Sequence, residues 1–194
     1  MRKEGVMVVL ESNKAVGCGG GKAVGLMLAL SIATFAADAN ATTKPVFAPQ
    51  ATEACVAELQ GTSLTRSGHT ILDCVGRAAQ VCMTAPGGDT TVGMMACLEG
   101  ELRYWDSRLN AAYATRIADA TAQDAEMRSI GSANTTLETS LRIMQRAWIS
   151  FRDKSCLYEQ AQWMGGTGGG PATMACHMHE TARQALKLEG WWAQ

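Results

Sequence analysis

No cluster of basic residues, no C-x-x-C pair and no apolar run of 20 residues occurs in this 194-residue chain, and each absence removes a class of function. Lys and Arg number 17 against 18 Asp and Glu, for a formal net charge of −1. Without clustered cations nothing neutralises a phosphate backbone, so nucleic acid is not an expected partner. The missing C-x-x-C argues against a thiolate metal site. Histidine offers little more: His177 and His179 are two apart, pointing to different sides of a helix, and His69 is isolated. Glu99 and Glu101, also two apart, are not placed as the carboxylate pair of a glycoside hydrolase. No Ser-His-Asp or Cys-His set is in view. The chain therefore reads as a non-enzyme with no catalytic residue, no metal and no cofactor. Strand signals are missing throughout, which points to an all-α fold.

The first forty residues belong to a different regime from the rest. Arg2, Lys3, Lys14 and Lys22 precede the apolar run at 23–37, and small-residue cleavage options follow at Ala37-Asp38-Ala39 and Ala39-Asn40-Ala41. A run of about 15 residues is short of the roughly 20 needed to span a bilayer, so residues 1–41 read as a secretory signal peptide. No stable membrane span is expected after its removal. Cleavage there leaves 13 basic and 15 acidic side chains, a weakly acidic domain, and six of the seven cysteines. An even number of cysteines behind an export signal indicates disulfides and a periplasmic or secreted location.

Residues 42–50 carry two prolines and no periodicity, as a linker does, and 51–194 read as a single helical domain. A short helix forms around Cys55, with a break at Gly61–Gly68. A second helix is expected from Thr70 to Met83, with Ile71, Cys74, Val75, Ala78, Ala79 and Cys82 on one side. Asp89 or Thr90 then caps a long helix to about Ile117, whose stripe of Val92, Met95, Leu98, Leu102, Trp105, Leu109, Tyr113 and Ile117 is the strongest periodic signal present. Asp119–Ser132 is polar and suits a short surface helix ending at Gly131. Asn134 or Thr135 opens a further helix to about Met164, with Leu141, Met144, Trp148 and Phe151 facing the core. The glycines at 165–170 make a flexible turn, and Pro171 suits the first position of a last helix reaching Glu189. The whole is a small antiparallel helical bundle stapled by disulfides.

Six cysteines remain to be paired: Cys55, Cys74, Cys82, Cys97, Cys156 and Cys176. Cys74 and Cys82, eight apart on one expected helix, are separated by roughly 12 Å of helical rise and cannot bond each other. The simplest set joins neighbours across turns: Cys55 with Cys74, Cys82 with Cys97, and Cys156 with Cys176. Each closes a loop of about 15–20 residues, worth on the order of 3 kcal/mol in the chain-entropy picture. The exchange of Cys55–Cys82 with Cys74–Cys97 stays open.

Polar residues beside the apolar stripes need partners if buried. Asp106, Asn110 and Tyr113 on the long helix, Gln145, Arg146 and Arg152 on the next, and Arg183 on the last are expected to meet in one interhelical network. At helix ends, Trp163, Trp191 and Trp192, with the Gly165-Gly166-Thr167 turn, are the candidates for partner binding, since aromatic side chains there can anchor a second protein.

Three blocks of the chain resemble a known family. They are Cys97-Leu98 with Glu101, Trp105-Asp106, Leu109-Asn110 and Tyr113; then Gln145-Arg146, Trp148-Ile149, Phe151-Arg152-Asp153 and Cys156; then Gly165-Gly166-Thr167, Cys176, Thr181 and Arg183. In this order they are similar to the LprI-type lysozyme-inhibitor domain, an exported helical domain of bacteria, over about residues 82–188. The resemblance implies an envelope protein-binding module whose partner is a c-type lysozyme, which it inhibits, or another envelope protein. The alternative it leaves is a structural or stress-related envelope domain without inhibitory activity.

Overall fold

A computed structural model describes residues 44–61, 70–132 and 136–191. The expected signal peptide, His69, the helix starts Asn134 and Thr135, and Trp192 lie outside the described residues. Among the described residues there are five α-helices and no strand: α1 (Gln50–Gly61), α2 (Arg77–Met83), α3 (Thr91–Ser129), α4 (Leu137–Ala161) and α5 (Gly169–Glu189). A 3₁₀ turn at Ile71–Cys74 precedes α2. The fold is all-α, as the missing strand signals imply.

The rod of the molecule is α3, 39 residues and about 58 Å long by helical rise. Thr90 starts it, its hydroxyl accepting from the Gly93 N–H at 3.0 Å. Along one face Cys97, Leu98, Trp105 and Leu109 are buried, and they share one core with Val56, Ile71 and Val75 from the segments before α3 and with Met178, Ala182 and Leu186 of α5. The helix does not stop near Ile117. It continues through the polar stretch to Ser129, because Ala120 is still buried and Asp124 is used at the start of α4, and it ends where Gly131 turns to φ +79°.

Helix directions follow from the pairs that meet. Gly170 at the start of α5 lies against Met95 near the start of α3, and Glu189 at the end of α5 meets Arg108 further along it, so α3 and α5 run parallel. Asp124 meets Leu137 while Gln184 meets Gln145, so α4 runs antiparallel to both. The expected antiparallel bundle thus contains one parallel pair, its most extensive helix contact.

Three further expectations change. The single helix over 70–83 is broken in two: Gly76 takes φ +92°, a backbone region open to glycine, and α2 restarts behind it. Its burial pattern survives the break, with Ile71, Cys74, Val75, Ala78, Ala79 and Cys82 all buried. Phe151, expected in the core, is 59% exposed, because α4 rolls Leu141, Met144 and Trp148 toward the core and leaves Phe151 beyond its edge. The segment before α1 is more than a linker, since Phe47 packs on the core at Gly100 of α3.

The cystines join neighbours across turns: Cys55–Cys74, Cys82–Cys97 and Cys156–Cys176, with Cα–Cα separations of 5.5, 5.6 and 5.3 Å. The first ties α1 to the 3₁₀ turn, the second α2 to α3, and the third α4 to α5.

Candidate partner-binding surface

The interhelical network expected from Asp106, Asn110, Tyr113, Gln145, Arg146, Arg152 and Arg183 does not form. Asp106 faces solvent and accepts from the Asn110 side chain one turn on, at 3.0 Å. Arg152 lies over the Trp148 ring, 5.0 Å from its centroid, and donates to its neighbour Asp153 at 2.9 Å. Arg183 is exposed, 4.0 Å from Glu180, and Arg146 is exposed. Gln145 and Tyr113 bond across helices, and Arg152 acts through its charge on His177 of α5. Gln145 is buried and accepts from Gln184 of α5 at 2.8 Å, and Tyr113 interacts with Arg142 of α4. The periodicity correctly puts Asp106 beside the stripe of α3, but its side chain is exposed there and pairs within its own helix.

A different polar set organises the fold, and it belongs to α3. Glu101 is fully buried. Its Oε1 accepts from the Thr52 hydroxyl at 2.9 Å, the Gly76 N–H at 2.7 Å and the Trp105 indole N–H at 3.1 Å, and its Oε2 accepts from the Ala79 N–H at 2.7 Å. The Thr52 hydroxyl in turn accepts from the Ala78 N–H at 3.0 Å. Donors left unpaired at the start of α2 are thereby satisfied from two other helices. Asp124 serves α4 similarly, accepting from the N–H groups of Leu137 and Glu138 at 2.8 and 3.0 Å. At the opposite kind of terminus, Arg116 donates to the Leu188 carbonyl at the end of α5 at 2.6 Å. Acids sit at helix N-termini and a cation at a C-terminus, the signs the helix dipole favours. Arg108 completes the set, pairing with Glu189 through two hydrogen bonds of 2.9 and 2.5 Å and lying 4.8 Å from the Trp105 ring centroid.

Of the acids and arginines in this set the sequence singled out only Glu101, in the family pattern and beside Glu99 as no carboxylate pair. A carboxylate inside an apolar stripe was the available signal. For Asp124, Arg108 and Arg116 no local signal exists.

The second candidate region is the hairpin between α4 and α5. Cys156–Cys176 and the Thr173 hydroxyl at the Cys156 carbonyl fix its base. The tip is a chain of turns rather than a loose glycine loop: Met164 N–H donates to the Ala161 carbonyl, Gly166 N–H to Trp163 and Gly169 N–H to Gly166, at 3.0, 2.7 and 3.0 Å. Gly169 and Gly170 already belong to α5, which puts Pro171 third in the helix rather than first; a missing N–H is tolerated in that turn. Trp163 is half exposed and its ring lies on Gly168, where a Cβ would come within 2.0 Å of a ring carbon. Met164 stands out at 94% exposure with φ +49°, a conformation that costs a non-glycine residue free energy. Gly165, Gly166 and Thr167 are exposed beside it. Trp191, by contrast, packs on the core and donates to Glu189 at 3.1 Å.

On α5, desolvation lowers the pKa of His177, with Arg152 lowering it further against Asp153, and desolvation lowers that of His179, where Glu101 and Glu180 act against Arg183. Among the described residues no group of three or more His, Cys, Asp or Glu is placed to hold a metal ion. No described helix is long and apolar enough to cross a membrane.

Fold and cystines define the class: a disulfide-stapled all-α domain built on one long capping helix. The chain belongs to the lysozyme inhibitor LprI family, whose model matches residues 82–188. It is 29% identical over 119 residues to an uncharacterised 17.7 kDa protein from the puhA 5′ region of Rhodobacter capsulatus, covering 61% of this chain and 74% of that one. An uncharacterised protein of Rhizobium meliloti (strain 1021) is 28% identical over 93 residues, 48% of this chain and 67% of its own. No solved structure matches.

Proposed function

We propose that this chain is an exported protein-binding module that inhibits a c-type lysozyme, with the Trp163–Thr167 tip as its contact. The observation that carries this reading is Met164, almost wholly exposed and held at positive φ on a hydrogen-bonded turn rooted in a disulfide. An apolar tip ordered before binding avoids the entropy that a loose glycine loop loses on docking. Family membership supplies the inhibitor class. Three cystines suit an oxidising compartment such as the periplasm or the exterior, and a weakly acidic domain suits a basic enzyme.

The test is lysozyme-driven clearing of a cell-wall suspension, followed with the oxidised protein. The reading expects clearing to slow at micromolar protein, and Met164→Ala with Trp163→Ala to weaken inhibition at least tenfold while the melting midpoint stays put. Clearing that is unaffected at tens of micromolar would leave a structural envelope domain as the better reading.

A further inference from the structure

Helix α4 carries a second surface, on its side away from the core. Leu137, Phe151 and Tyr158 sit at seven-residue spacings along it, with Met144, at the remaining position of the row, turned to the core, and Ser140, Ala147, Lys154 and Ala161 form a second row three residues on. The seven-residue spacing keeps each row on one strip of the helix, large side chains in one and mostly small ones in the other. Leu137, Phe151 and Tyr158 are 49%, 59% and 66% exposed, the four residues of the second row are all exposed, and Ile143 and Leu157 flank them at 55% and 64%. Lys154 is the single charge in this face; Arg142, Arg146 and Asp153 lie on another side.

The geometry points to self-association: α4 pairs antiparallel with α4 of a second copy. Large residues occupy one row and small ones the other, and in antiparallel packing the rows of the two copies face each other. With Phe151 opposite Ala147 of the second copy, the same register sets Leu137 opposite Ala161 and Tyr158 opposite Ser140, with Ile143 flanking Leu157. Parallel pairing would instead set Lys154 against Lys154, Phe151 against Phe151, and alanine against alanine over a void.

The area sets the strength. Ile143, Phe151, Leu157 and Tyr158 together expose about 500 Å², at the size where the largest apolar patch of a monomer becomes an interaction site. Two such faces bury about 1,000 Å² in total, the low end for specific interfaces, so the dimer is a weak one with a dissociation constant in the micromolar range. The pairing leaves the Trp163 tips at opposite ends of the two helices.

Sedimentation equilibrium of the oxidised chain between about 1 and 100 μM brackets that constant. The expected result is a monomer–dimer equilibrium that Phe151→Glu reduces to monomer, with helicity and melting midpoint retained because Phe151 is outside the core. Lys154→Leu, which removes the charge from the seam, is expected to tighten the dimer at least tenfold. A monomer at 100 μM, a dimer that ignores Phe151→Glu, or a Phe151→Glu chain that loses lysozyme binding without having been dimeric would each overturn the pairing.

Discussion

Glu101 shows how one buried side chain holds several elements at once. Every group that meets its carboxylate is a donor: the Thr52 hydroxyl, the Gly76 and Ala79 amides and the Trp105 indole. Glu101→Gln keeps the shape but turns one acceptor into a donor, so either orientation of the amide sets N–H against N–H. The variant is expected to lose about 3 kcal/mol, seen as a melting midpoint lower by roughly 10 °C. A midpoint within a degree or two of the parent would mean that the carboxylate is not the organising group. Legibility at this scale was uneven. The burial of Trp105 and Leu109 follows from their spacing, whereas Asp106 is exposed and pairs with Asn110 one turn on, and Arg152 lies over Trp148 and pairs with Asp153.

At the scale of the element, the α4–α5 hairpin combines a disulfide base with a turn shaped by packing. Gly168 has ordinary right-handed helical backbone angles, so it is glycine for space rather than for φ: the Trp163 ring lies where a Cβ would be. Gly168→Ala is accordingly expected to leave the backbone intact and swing Trp163 into water. Its emission, isolated by difference against Trp163→Phe, should shift to the red, and an unchanged spectrum would contradict the contact. Helix termini were only partly readable. Thr90 opens α3 and Thr136 opens α4, each accepting from the N–H three residues on as its residue type foretells, but the carboxylates of α3 that also serve the N-termini of α2 and α4 cannot be read from local sequence.

For the whole molecule, the two histidines of α5 give a stability that depends on pH. Desolvation holds both folded pKa values below the ordinary imidazole value, so protonation favours the unfolded chain. Their contribution is complete above the unfolded pKa of about 6.5 and is lost as pH falls below it. Thermal melts from about pH 7.5 to pH 5 should therefore show a falling midpoint, and His177→Gln with His179→Gln should flatten the slope. An equal slope in the double variant would assign the acid sensitivity to the carboxylates instead.

The sequence by itself determined the all-α class, the stripe of α3 from Leu98 to Leu109, though not Val92, which faces water, and a sound first choice of cystine partners, because helical period and loop length are local properties of the chain. Tertiary structure alone decided that α2 begins at Gly76, that Asp124 and Arg116 serve the ends of other helices, and that Phe151 faces water. Those outcomes depend on which flank of a helix a distant segment covers. An amphipathic pattern gives a buried direction but not the neighbour that fills it, and a polar side chain takes its role from that neighbour.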